Sequence, residues 1–258
     1  AMDHNFGVGS VDPSDVSRVT EEIVRALAAG GQPVTESVVA QVASMVQANT
    51  APEADRERYA QLREWIDALP KYGNDEPEVD AIARQAAYTY TKSVEKHHNP
   101  RGGQFQAGLY PVSANVPLGA QTGATPDGRL AHTPVADGVS PSAGKDTHGP
   151  TAAASSVARL DHFIASNGTL YNMKFHPSAL AGRAGLENFA ALVRTYFDRK
   201  GSHMQFNVVS RETLLDAQAH PEKYKSLVVR VAGYSALFTT LSRSLQDDII
   251  RRTEQAGF

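Results

Sequence analysis

Cysteine is absent from this 258-residue sequence, and no other gap in the composition excludes as much chemistry. Disulfides, thiolate metal sites and a cysteine nucleophile are all ruled out within it. No apolar run approaches the ~20 residues of a membrane-spanning helix. The opening residues, Ala1 to Ser10, lack a basic-then-apolar signal pattern, so a cytoplasmic location is expected. Neither charge sign dominates: 25 basic against 28 acidic residues leave −3, which gives no reason to expect nucleic acid or an anionic membrane as partner. Nine histidines are present, none in an H-x-x-x-H or H-E-x-x-H frame, and no bound metal is expected. No serine sits in G-x-S-x-G. Gly144-Lys145-Asp146 fails as a phosphate loop, because aspartate stands where a magnesium-holding hydroxyl is needed.

What is present reads as one long helical segment, then loops, then an α/β ending. Asp12-Pro13 is an N-cap followed by proline at the first helical position, and Val16, Val19, Ile23 and Leu27 follow at helical spacing. A second helix carries Val39, Val42 and Val46. A third carries Tyr59, Leu62, Trp65, Ile66 and Leu69, and a fourth Val79, Ile82, Ala86, Tyr90 and Val94. These stripes are expected to face the core. From Asn99 to about Pro150, Gly and Pro recur every few residues, which no helix survives, and Pro126-Asp127-Gly128 is a turn. Phe105, Leu109, Tyr110, Val112, Val116 and Leu118 within this stretch predict ordered loops packed on a core. Residues 185–199 form a helix with Leu186, Phe189, Leu192, Val193 and Tyr196 on one face. Met204–Val209 suits a strand, Arg211–Ala219 a helix, Leu227–Val231 a buried strand and Ser242–Thr253 a final helix. The expected divisions are 1–98, mainly helical; 99–184, loops and strands; and 185–258, a compact α/β unit.

The hexapeptide Arg230-Val231-Ala232-Gly233-Tyr234-Ser235 stands apart. On its own it is a glycine in a strand-to-turn step. It also resembles the radical-bearing loop of the glycyl radical enzymes, where only glycine suits the chemistry. A Cα radical is stabilised when the centre flattens and shares its electron with the neighbouring amide and carbonyl. A side chain would crowd that geometry, and glycine accepts backbone angles other residues avoid. Further segments match in order: Pro70-Lys71-Tyr72-Gly73-Asn74-Asp75, Asn99-Pro100-Arg101-Gly102-Gly103, Gly108 to Ala114 and Gly123 to Arg129. These are followed by Ala136 to Pro141, Lys174 to Ser178, Gln205 to Val209 and Gln246 to Ile250. The match is dense from about residue 70 onward and looser before it.

The chain thus resembles the C-terminal region of the pyruvate formate-lyase superfamily. Its wording is most like choline trimethylamine-lyase over Gly108–Asp127 and Ser235–Leu241, and diol and glycerol dehydratases share much of that text. The resemblance implies part of a ten-stranded α/β barrel in which a glycine finger meets a cysteine finger. Gly233 would store the radical, with Arg230, Tyr234 and Ser235 supporting the loop and Tyr110 and Ser113 lining the interior. For Tyr110 a packed loop tyrosine is an equal alternative. It further implies no bound cofactor, a radical S-adenosylmethionine (SAM) activating enzyme as partner, and choline or a related small alcohol as substrate. A homodimer, possible residence in a bacterial microcompartment, and no activity without the missing cysteine are also implied. A fragment of the lyase, a stand-alone spare part and a non-catalytic remnant stay open as readings.

Overall fold

The computed structural model describes residues 53–125 and 127–258, with side chains from residue 60 onward. The first two expected helices and Pro126 lie outside these residues. The described residues divide into two units. The smaller holds α1 (Glu53–Ala68) and residues 124–131 without 126. There the Gly128 amide donates to the Thr125 carbonyl at 3.0 Å, and Gly128 takes a φ of +91°. That is the expected turn, with glycine where the chain needs a positive φ. Leu62, Trp65 and Leu69, expected in the core, are instead exposed.

The larger unit begins with α2 (Pro77–Val94), which has proline in its first turn and Glu78 and Asp80 beside the helix dipole. Its packing face is not the expected stripe. Ala83 and Ala87 sit against the core and Asp80 and Thr91 are fully buried, while Ile82 and Tyr90 are exposed. Small residues win this face because α2 lies close to α4 (Gly149–Ala158), itself built of alanine and serine and buried from Ala153 through Ala158. Asp80 accepts from the Arg159 guanidinium, which also reaches Asp75 at 2.6 Å. Between the helices the loops are stitched by backbone bonds and a six-residue helix α3 (Asn115–Ala120). Phe105, Tyr110, Val112 and Leu118 stay exposed there, so those loops are ordered but only partly packed.

The centre is a three-stranded parallel sheet in the order β2-β1-β5, of β1 (Asn172–Phe175), β2 (Gln205–Val208) and β5 (Glu254–Gln255). Strands β1 and β2 are joined through α5 (Gly182–Asp198), the helical crossover a parallel pair requires. Side chains alternate across a strand. Met173 and Phe175 enter a core with Tyr171, Leu192, Tyr196 and Val157. Asn172 and Lys174 point the other way and are also buried. That polar face, opposite Gln205 and Asn207 in register, supports the last part of the chain.

There β3 (Val228–Arg230) and β4 (Ser235–Leu237) form an antiparallel hairpin. It rests on α6 (Arg211–Ala219) and α7 (Arg243–Arg251) over a second core of Val209, Leu214, Val229, Val231, Phe238 and Ile249. The expected buried strand 227–231 is a half-exposed hairpin arm, since Val228 faces outward and only Val229 and Val231 are covered. The final helix is shorter than expected, because Glu254 and Gln255 are drawn into the sheet beside Lys174 and Phe175.

Candidate functional site

Gly233 lies at the tip of the β3–β4 hairpin with a φ of +82°. A Cβ built there would meet only Leu170 Cδ1, at 3.5 Å, an ordinary contact. Crowding by neighbours therefore does not select glycine here; the left-handed backbone angle does. The Val231 amide donates to the Tyr234 carbonyl at 2.9 Å, but the Val231 carbonyl turns away from the loop. It accepts from Arg252 Nη1 at 2.8 Å and from Asn172 Nδ2 at 3.2 Å. The tip is thus held from below by buried side chains.

Arg230 and Ser235 face each other across the hairpin, with Arg230 Nη1 donating to Ser235 Oγ at 3.1 Å. Asn207 clamps the Arg230 backbone on both sides, accepting its N–H and donating to its carbonyl, each at 2.8 Å. Gln205 reaches the tip. Its Oε1 accepts from the Gly233 amide at 3.2 Å and from Arg230 Nη2 at 2.9 Å, while its Nε2 donates to Asn172 Oδ1. Asn172 in turn donates to Asp137. Arg252 lies 3.3 Å from Asp137 and 3.1 Å from Asp248, and Asn115 donates to Asp248 at 3.2 Å. Asn115, Asp137, Asn172, Gln205, Asn207, Asp248 and Arg252 are all buried, whereas Gly233 and Ser235 are exposed and Arg230 is partly so.

Burial pushes the Asp137 carboxyl above the ordinary carboxylate range; Arg252 and the Asn172 hydrogen bond pull it back, and Asp248 pushes with burial. His203 accepts from the Tyr171 amide through Nδ1 at 3.3 Å, and burial and the Arg230 charge lower its pKa. The surroundings of the loop thus offer fixed amide dipoles and two guanidinium groups, Arg230 held by Gln205 and Ser235 and Arg252 paired with Asp137 and Asp248. Among these groups none is placed as a nucleophile.

The structure brings Gly233, Arg230, Tyr234 and Ser235 together. Tyr110 and Ser113 lie on a separate loop, tied back toward the same region. Leu109 bridges Thr169 in parallel and Leu170 N–H donates to the Leu109 carbonyl at 3.2 Å, and Leu170 is the residue beneath Gly233. Tyr110 is half-exposed, and its hydroxyl accepts from Asn167 at 2.8 Å. Between Tyr110 and Ser113, Val112 holds a φ of +58°, a costly angle for a β-branched residue. Sequence reasoning gave no role to Gln205, Asn207, Asn172, Asp137 or Arg252. The available signal was polar alternation in Asn172–Phe175 and Gln205–Val208, which marks a strand whose second face is buried against something polar.

Two further features lie outside this network. His176, Glu212 and Glu254 offer ligand atoms within 4.8 Å of one another. His176 Nδ1, however, accepts from the Ser178 amide, which places the ring proton on the other nitrogen, and Glu254 already accepts from the Arg211 amide at 2.7 Å. A ligating histidine normally donates its second N–H instead. This cluster fits an N-terminal cap on α6 better than a metal centre. A cavity of about 390 Å³ opens between α4 and α5, and no residue of the Gly233 network lines it.

Comparison with known proteins identifies the setting. The family description "Glycine radical" matches residues 135–239, and "Pyruvate formate lyase-like" matches residues 34–119. A probable dehydratase, YbiW of Escherichia coli K12, is 50% identical over 212 residues, covering 79% of this chain and 26% of its own length. The solved structure of a protein of 1,2-propanediol dehydration in Roseburia inulinivorans superposes with a TM-score of 0.83 at 63% identity, over 97% of this chain and 30% of that one. A glycerol-bound, B12-independent glycerol dehydratase from Clostridium butyricum gives 0.76 at 49%, over 93% and 30%. The chain therefore spans under a third of the length of these relatives, and its sheet and helices are part of their barrel. Dehydratases are prominent among these relatives, and they do not support the expected likeness to choline trimethylamine-lyase. The chain belongs to the glycyl radical enzyme superfamily and corresponds to its C-terminal portion.

Proposed function

We propose that this chain is the glycyl-radical-bearing portion of a dehydratase acting on a small vicinal diol such as 1,2-propanediol or glycerol, with Gly233 as the stored radical. The observation that carries the reading is Gly233 at a hairpin tip, at positive φ, inside the matched glycine-radical segment. The 63% identity to the Roseburia protein supports the substrate class. The choline expectation rests on the wording of two loops alone and gives way to the diol.

In this reading a radical SAM activating enzyme removes one Gly233 hydrogen. The radical passes to a cysteine, which this chain does not contain. The thiyl takes the hydrogen from the hydroxyl-bearing C1 of the diol, the C2 hydroxyl leaves as water with the proton of the C1 hydroxyl, and the thiol returns its hydrogen to C2 to give an aldehyde. Gln205, Asn207 and Arg252 hold the hairpin at fixed height, so that transfer to the cysteine runs over a constant distance. Tyr110 and Ser113, on the loop bearing the strained Val112, line the substrate chamber. The half-exposed hairpin, with Tyr234 and Leu237 uncovered, is the surface that the cysteine-bearing portion closes over, excluding water and oxygen from the radical. A homodimer and a microcompartment setting stay proposals of the family resemblance. Residues 185–258 serve as the glycyl radical domain, residues 99–184 as loops and barrel strands, and residues 1–98 as the flanking helical segment.

The test supplies the anaerobically activated full-length polypeptide with 1,2-propanediol, glycerol and choline separately. Aldehyde from a diol, with no trimethylamine from choline, is expected; trimethylamine release with no aldehyde from either diol overturns the substrate assignment.

A further inference from the structure

The amide of Gly233 has a dedicated partner. Gln205 is buried, and its side-chain orientation is fixed from two directions. On one side Asn172 Nδ2 faces the Val231 carbonyl and the Asp137 carboxylate, both acceptors. That turns Asn172 Oδ1 toward Gln205 and obliges Gln205 to present its NH₂ group to it. On the other side stand Arg230 Nη2 and the Gly233 N–H, both of which can only donate. Acceptors at one end and donors at the other leave a single self-consistent arrangement of the two amides. Flipping either one would set donor against donor or oxygen against oxygen inside a buried network.

We infer that Gln205 is a positioning residue for the glycine radical: its Oε1 holds the Gly233 amide plane and enriches the nitrogen that shares the unpaired electron. A Cα radical between an amide nitrogen and a carbonyl is stabilised when the nitrogen donates and the carbonyl withdraws. An oxygen accepting the N–H hydrogen bond pushes electron density onto that nitrogen and restrains its rotation. Forming the radical removes one Cα hydrogen and leaves the N–H in place, so the same hydrogen bond serves before and after activation. The Arg230 guanidinium shares the oxygen and ties the tip to the last residue of β3. Asp137 and Asn172 act on the radical only through Gln205 and the Val231 carbonyl.

This inference rests on Gly233 carrying the radical, and the experiment separates the two claims. The full-length polypeptide is activated anaerobically as wild type, Gly233→Ala, Gln205→Leu and Gln205→Glu, and each is examined by electron paramagnetic resonance after confirming its fold by circular dichroism. Glutamate keeps the accepting oxygen, beside the Arg230 guanidinium that can pair with its charge, and replaces the donor to Asn172 with a second oxygen. Gln205→Leu is expected to lower the accumulated doublet about fivefold, the ratio carried by one hydrogen bond of about 1 kcal/mol, and to change its hyperfine splitting. Gln205→Glu is expected to restore the splitting and most of the amplitude. A doublet surviving in Gly233→Ala defeats the radical assignment itself. A doublet lost in Gly233→Ala but unaltered in Gln205→Leu defeats only the role of Gln205. Should Gln205→Leu not fold, Gln205→Glu decides: a folded glutamate variant with the wild-type splitting supports the accepting oxygen, and one without a doublet overturns it.

Discussion

Replacing Asp146 with asparagine removes a pH dependence whose size follows from the structure. Asp146 is buried beside the end of β5, where Thr253 Oγ1 and Gln255 Nε2 donate to its two oxygens. Burial pushes its pKa from 3.8 to about 6, and those two hydrogen bonds only partly hold it down. The folded state therefore binds a proton more tightly than the unfolded chain does. The resulting stabilisation is fully present below about pH 4 and is lost as the pH rises through about 6. A shift of that size corresponds to about 3 kcal/mol.

The local readout is hydrogen exchange at the His176 amide, which donates to the Gln255 carbonyl at 3.0 Å. Opening that bond frees β5 and exposes Asp146. After correction for intrinsic exchange rates, its opening free energy should fall by about 3 kcal/mol between pH 4 and pH 7 in the wild type. In Asp146→Asn, which stays neutral throughout, it should be nearly flat, close to the wild-type value at acid pH and above it at pH 7. Parallel curves in the two proteins would refute the assignment of the titration to Asp146.

Other consequences are equally direct. Arg252→Leu leaves the buried Asp137 and Asp248 carboxylates without their counter-charge and removes one of the two donors to the Val231 carbonyl, and should cost about 3–5 kcal/mol by chemical denaturation. Arg252→Lys, which keeps the charge but loses the three-way fork, should fall between. Burial lowers Lys174 to about 8 against an ordinary 10.5, so its contribution has the opposite sign to that of Asp146, and stability around β1 should rise as the pH climbs from about 8 toward 10. Tyr110→Phe deletes an acceptor for Asn167 at a half-exposed position and should change stability by less than about 1 kcal/mol. If Tyr110 lines the chamber, diol turnover or apparent affinity changes while the radical yield does not. The isolated chain should form no aldehyde from a diol and should associate and bind an apolar dye, since β2 is an edge strand and Val208 and Val228 are exposed. A monodisperse, cooperatively unfolding monomer would contradict this.

Much of the architecture was legible locally. Helix α5, strand β2, helix α6 and the turn at Gly128 each follow from periodicity, a cap or a glycine. The long apolar stripes misled for a physical reason. Ile82, Tyr90, Trp65 and Leu69 are spaced to be buried, yet they are exposed here, and helical periodicity names a face without naming what covers it. Helix α4 escaped detection because its alanines and serines carry no amphipathic contrast, although close packing on α2 needs such small residues. Gly233 was legible because its chemistry imposes a rare local sequence. Its supports were not, since Asp137, Asn172, Gln205 and Arg252 lie far apart in sequence and only the parallel register of β1 and β2, followed by the return of α7, brings them together.

The central claim, that Gly233 stores an unpaired electron at Cα, has one direct measurement. The full-length polypeptide is activated without oxygen by a radical SAM activating enzyme and its paramagnetic resonance spectrum recorded. One hydrogen remains on Cα after abstraction, so a doublet is predicted. The doublet should collapse to a singlet when the protein is made with α-deuterated glycine, and vanish in Gly233→Ala while the fold persists. A signal that keeps its splitting on glycine deuteration, or that survives in the alanine variant, would contradict the account.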